Sequence, residues 1–97
     1  MVITVDITVK GIQGTIRYDE PRKQVQIKHP DGGVCRAIQG YLTAPHTYRI
    51  PQSAKIDDFE EVEALPTDNR MYFDLALCTL YTTLGIWVDW NTEKETE

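Results

Sequence analysis

Two histidines, a cysteine and an aspartate are the side chains of this chain whose types could support nucleophilic catalysis. A cysteine nucleophile needs a base close to its sulfur and a third group that orients the base. His29 and Asp31 lie in a turn-like segment before Cys35, and His46 follows a proline in a predicted loop. Their spacing matches no catalytic motif, so only the fold could bring them together. The sequence therefore favours exposed histidines and a packed cysteine over a Cys/His active site.

An acidic cluster in the second half of the chain carries the oxygen ligands that Ca²⁺ or Mg²⁺ would need. Its carboxylates lie in one short run: Asp57, Asp58, Glu60, Glu61 and Glu63. Their spacing is not that of a calcium-binding loop, and the two cysteines lie in no zinc-binding pattern. The glycine pairs lack the spacing of a phosphate-binding loop. We therefore expect no metal ion and no cofactor, but a solvated acidic surface that a basic partner could contact.

The outward face of the predicted sheet is polar and mildly basic. It carries Arg17, Lys28 and Arg36, which could bind an anionic ligand or a nucleic acid. Sheets that bind single-stranded nucleic acid add exposed aromatic rings to such charge, and the alternation places Tyr18 on the opposite, inward face. The net charge is −5 at pH 7, which disfavours a nucleic-acid binder that relies on overall positive charge.

The stretch of residues 75–88 contains no Asp, Glu, Lys or Arg, although 26% of the chain is charged. Helical spacing places its larger apolar residues on one stripe that would cover the sheet: Phe73, Ala76, Leu77, Leu80, Tyr81 and Leu84. The opposite side is uncharged as well and carries Met71, Leu75, Cys78 and Thr82. The outer side of a lone helix on a sheet is normally charged, so we expect either residues 39–53 or another chain to cover this face.

The helices and strands that position these side chains are predicted from the periodicity of apolar residues. Alternation of apolar and polar residues, with tight turns between, predicts four antiparallel strands: residues 2–9, 14–18, 24–28 and 34–38. Residues 47–50 could add an edge strand, and residues 86–88 a short return strand. Residues 55–65 stay open between a helix, which their spacing favours, a strand and an extended loop. The expected fold class is α+β, an antiparallel β-meander of four to six strands packed on one main C-terminal helix.

The length of the chain and the composition of its first and last residues limit the remaining interpretations. A chain of 97 residues forms one domain, which we place at residues 1–90. The polar acidic segment 91–97 lacks apolar anchors and is expected to be a disordered tail. The first residues do not resemble a signal peptide, and no apolar run is long enough to span a bilayer. These features predict a cytoplasmic protein without a membrane partner, in which Cys35 and Cys78 pack as small apolar groups or pair with each other.

The sequence favours a non-enzymatic interaction or accessory protein over an enzyme. It would act through self-association as a homodimer, or as a subunit of a larger assembly, with Met71, Leu75, Cys78 and Thr82 at the interface. The alternative is binding of a nucleic acid or an anionic ligand by the basic sheet face. A small Cys/His enzyme is the third interpretation.

Overall fold

The computed structural model describes residues 1–51 and 59–96, with side chains for residues 1–49 and 60–96. The described chain confirms the α+β class, with strands and two helices in the order β1 Val2–Val9, β2 Ile12–Asp19, β3 Gln24–Lys28, α1 Gly32–Thr43, β4 His46–Pro51, β5 Phe59–Ala64, α2 Arg70–Leu84 and β6 Trp87–Thr96. The main sheet is antiparallel, in the order β3-β2-β1-β6. Strands β4 and β5 form a separate antiparallel pair.

Strand β1 is the centre of the sheet and shows the predicted alternation. Its four inward residues are all buried: Ile3, Val5, Ile7 and Val9. The residues between them are half-buried on the outer face. Lys10 and Gly11 connect β1 to β2 with φ values of 51° and 78°. Two consecutive positive φ angles are typical of the tight hairpin turn whose twist matches that of the strands.

Helix α2 covers the inner face of the sheet through the predicted stripe. Asn69 caps its first turn by accepting a hydrogen bond from the Tyr72 N–H, and Gly85 ends it with φ 70°, as expected. Four residues of the stripe are buried in the core: Phe73, Ala76, Leu77 and Leu80. The Phe73 ring stacks on the ring of Tyr18, with 4.4 Å between centroids. Burial of each such side chain contributes about 1.5–3 kcal/mol.

Residues 34–38, expected as the fourth strand, lie instead in helix α1. The Asp31 carboxylate caps this helix and accepts hydrogen bonds from two backbone N–H groups of its first turn. Ile38 and Leu42 are fully buried in the core, and their spacing of four residues puts both on one face of a helix. Arg36, which the strand assignment placed on the outer face of the sheet, is consequently an exposed residue of α1.

The fourth strand of the sheet is β6, which includes most of the segment expected to be a disordered tail. Residues 91–96 continue this strand, and Thr96 is in register with Val2 at its end. A β-bulge interrupts the pairing, and there the Thr92 hydroxyl accepts a hydrogen bond of 2.8 Å from the Asp6 N–H. The tail prediction differs from the structure because backbone pairing and polar contacts order this strand without apolar anchors.

The second half of the open segment 55–65 is a strand. Residues 59–64 form β5, which pairs with β4 in a register that sets Tyr48 opposite Val62. Ala64 is buried, whereas Glu61 and Glu63 are exposed. Side chains on the two faces of β5 thus differ in exposure, as expected for a strand with one covered face. Of the acidic cluster, Asp57 and Asp58 lie outside the described residues.

Candidate protein interface

The uncharged side of α2 predicted as an interface is directed away from the sheet. Met71 is 46% exposed, Cys78 and Thr82 are exposed, and Leu75 is half-buried. Positions three or four residues apart lie on the same face of a helix, so these four side chains form one continuous ridge. The ridge is uncharged along its length.

Three further large side chains that the sequence placed in the interior are exposed near the C-terminal end of α2. Tyr81 is 61% exposed, Leu84 39% and Trp87 60%. The rings of Tyr81 and Trp87 meet edge to face, with 5.9 Å between centroids. We call the combined set the α2 surface: Met71, Leu75, Cys78, Tyr81, Thr82, Leu84 and Trp87. The alternation around Val88, which is buried, was the sequence signal that Trp87 faces outward.

The two alternatives that we expect to cover this face of α2 are residues 39–53 and another chain. In the structure, residues 39–53 contact α2 on the side next to the ridge. The Tyr41 hydroxyl forms a hydrogen bond with the Thr79 hydroxyl, and the Tyr48 ring stacks at 5.9 Å from the Tyr72 ring. Burial, followed by the nearby Tyr41, raises the pKa of Tyr48 to about 12. These contacts come from the described part of segment 39–53, and they do not cover Met71, which stays exposed.

The opposite border of the ridge is a charged cluster around Arg70. The guanidinium of Arg70 forms ion pairs with Asp74 at 3.1 Å and Glu93 at 2.9 Å, and also with Glu95. Burial and then the negative charge of Asp74 raise the pKa of Glu93, although Arg70 opposes them. Partial desolvation, with the charges of Asp74 and Glu93, also raises the pKa of the Cys78 thiol. The charged side chains at this border therefore form ion pairs with one another within the protein.

The structure does not assemble the candidate catalytic residues. Cys35 lies near His29, but its thiol donates to the His29 backbone carbonyl at 3.4 Å. The His29 ring accepts from the Asp31 N–H at Nδ1 and contacts the Ile12 carbonyl through Nε2. Backbone groups therefore occupy both ring nitrogens, and neither is free to take the cysteine proton. His46 forms a hydrogen bond of 2.8 Å with the Tyr41 carbonyl through Nε2, and its ring lies against the Tyr41 ring at a tilt of 49°.

The basic residues proposed for anion binding separate into two places. Arg17 and Lys28 lie beside a depression on the outer face of the sheet, whereas Arg36 belongs to α1. Both cysteines are free thiols. Among residues 1–51 and 59–96, no three His, Cys, Asp or Glu side chains converge as metal ligands would.

Neither helix in the described part of the chain combines the length and the hydropathy that crossing a bilayer requires.

Comparison of the chain with known protein families, with curated proteins and with solved structures finds no match. The chemistry and geometry of its surfaces are therefore the basis for inferring what the protein does.

Proposed function

We propose that this protein is a non-enzymatic interaction or accessory protein that forms a homodimer through the α2 surface. The observation that supports the proposal is the exposure of Met71, Tyr81 and Trp87, at 46%, 61% and 60%, along α2 and at the start of β6. Contiguous exposed apolar side chains of this kind mark protein interaction sites. Tyrosine and tryptophan are also among the residues that contribute most to binding at interfaces.

A second copy of the chain is the partner that this face fits best. In a dimer with two-fold symmetry, each residue contacts a residue that contacts it in return. Leu75 and Tyr81 lie three residues on either side of Cys78. Two α2 helices crossing in opposite directions at Cys78 would therefore set Leu75 of each copy against Tyr81 of the other. The small side chains of Cys78 and Thr82 at the centre would let the helices approach closely.

The charge distribution supports the same partner. Asp74 lies four residues before Cys78 on this side of α2, and its charge is paired with Arg70 of the same chain at 3.1 Å. Arg70, which borders the α2 surface, already contacts carboxylates of its own chain. We place this dimer in the cytoplasm, since free thiols such as those of Cys35 and Cys78 persist in reducing compartments.

Analytical ultracentrifugation of the wild type and two variants tests the proposal. We expect a dimer for the wild type at micromolar concentration and a folded monomer for Tyr81→Arg, because each arginine would have to lose its water against Leu75 of the other copy. Tyr81 is mostly exposed, so this substitution should leave the fold intact. The matched control is Ile12→Arg, which changes an exposed apolar residue of β2 and should leave the dimer unchanged.

A wild type that stays monomeric at several hundred micromolar would refute self-association. A dimeric Tyr81→Arg variant would refute the assignment of the interface to α2. Leu75→Arg provides an independent variant of the same face, and it should shift the association state in the same direction.

A further inference from the structure

The outer face of the sheet contains a depression of about 150 Å³. Its lining comes from three adjacent strands, and every lining residue carries a hydrogen-bonding group at the end of an aliphatic stem or beside a methyl group: Thr4, Thr15, Arg17, Gln26 and Lys28. We propose that this depression binds a small oxyanion, the phosphate group of a free phosphate or a phosphomonoester. The proposal is independent of the α2 surface, none of whose residues lines the depression.

The register of the strands brings these donors together. Arg17 is directly opposite Thr4 on one side and Gln26 on the other. Lys28 is opposite Thr15. Side chains opposite each other on one face of an antiparallel sheet have Cβ atoms about 4.5–5.5 Å apart. Two cations and three neutral donors therefore surround one space, and no carboxylate lines it.

The existing contacts of these donors are long, which leaves them able to turn towards a ligand. Arg17 Nη1 donates to Gln26 Oε1 at 3.4 Å, and the Thr15 hydroxyl donates to Asp6 Oδ1 at 3.3 Å. Hydrogen bonds from a guanidinium or an ammonium to an oxyanion are shorter and about twice as strong as neutral ones. An oxyanion would thus replace weak contacts with charge-assisted ones.

A single small group fits this site better than a nucleic-acid strand. Strand β6 has two exposed aromatic rings, Trp87 and Trp90. Trp87 pairs with Thr8, four residues along β1 from Thr4 and roughly 13 Å away at the rise of a strand. Asp6 and Asp89 are paired between these two positions. Their carboxylates would repel a phosphate backbone that ran from the depression towards the Trp87 ring.

NMR titration of the ¹⁵N-labelled protein tests the proposal. The probes are inorganic phosphate, glycerol phosphate and a single-stranded oligonucleotide, added at an ionic strength of about 0.1 M, where the Debye length is about 10 Å. We expect phosphate or glycerol phosphate to shift the amides around Arg17 and Lys28. Arg17→Gln and Lys28→Gln should each weaken binding by about tenfold, the effect of losing one charge-assisted hydrogen bond.

Two further variants separate a site from a general charge effect. Arg36→Gln removes the same charge from α1 and should change the affinity by less than about twofold, since exposed charges beyond a Debye length are screened. Asp6→Asn removes the carboxylate next to Thr15 and should tighten binding.

Three outcomes would overturn the proposal: phosphate shifts no amide of β1–β3, Arg36→Gln weakens binding as much as Arg17→Gln does, or only the oligonucleotide binds. The titration is repeated on Tyr81→Arg, so that a failure of oxyanion binding is distinguishable from a failure of self-association.

Discussion

Tyr18→Phe removes one hydrogen bond from the centre of the protein and leaves the surrounding packing in place. The Tyr18 hydroxyl donates to the Thr67 backbone carbonyl at 3.0 Å, and Tyr18 is fully buried. Phenylalanine keeps the ring stacked on Phe73. The variant loses a hydrogen bond worth about 0.5–1.5 kcal/mol, and a buried acceptor left without a donor costs about 1–3 kcal/mol. We expect a loss of about 2 kcal/mol, or a Tm lower by about 8–16 °C for a domain of this size.

Urea and thermal unfolding of matched variants measure this loss. Tyr81→Phe removes the same atom from a ring that is 61% exposed, and it should change the stability by less than about 0.5 kcal/mol. Equal effects of the two substitutions would refute the assignment of a stabilising role to the Tyr18–Thr67 hydrogen bond.

The pH dependence provides a second measurement on the same hydroxyl. Burial, followed by the charges of Glu20 and Asp68, raises the pKa of Tyr18 to about 12 from an ordinary value of 10.0. The folded state thus holds this proton more tightly than the unfolded state does. The stabilisation is complete below pH 10 and is lost as the pH rises towards 12. The difference in stability between wild type and Tyr18→Phe should therefore shrink over that interval.

Two other substitutions test packing and charge. Gly14→Ala should lower the stability by about 1–3 kcal/mol, because the added Cβ would lie 2.5 Å from the Lys28 carbonyl oxygen; the control Gly40→Ala meets nothing within 4 Å and should be neutral or stabilising in urea unfolding. Glu93→Gln should be more stable than the wild type at pH 7, because burial and Asp74 raise the pKa of Glu93. A carboxyl whose pKa is raised by folding lowers the stability of the protein as the pH rises from about 4.5 through the pKa of the folded state. The greater stability of Glu93→Gln should therefore vanish in acid. A stability difference that grew at low pH would contradict this account.

The sequence predicted those parts of the fold that depend on local pattern. Strand β1 follows from the alternation of apolar and polar residues, and the buried stripe of α2 follows from helical spacing. The uncharged outer side of α2 was also visible, because composition alone reveals it. Whether a partner covers that side stays a prediction.

The elements that the sequence did not predict depend on contacts between distant residues. Residues 34–38 alternate like a strand, but the Asp31 cap and the burial of Ile38 with Leu42 favour a helix. The spacing from Ile38 to Leu42 was the available signal for α1. Residues 91–96 contain no apolar anchor, and their order depends on pairing with β1 and on Arg70. No local pattern could reveal those partners.

The neighbouring positions of the first and the last strand set the order in which the fold can be completed. The Asp6 amide and the Thr92 hydroxyl form a hydrogen bond although they are 86 residues apart. During synthesis, β1, β2 and β3 can pair early as local hairpins, because short loops close quickly. One side of β1 then stays unpaired until β6 has left the ribosome, so this strand is an aggregation-prone edge while the segments between β1 and β6 are synthesised. Closure by β6 is the late, long-range step that ends this exposure.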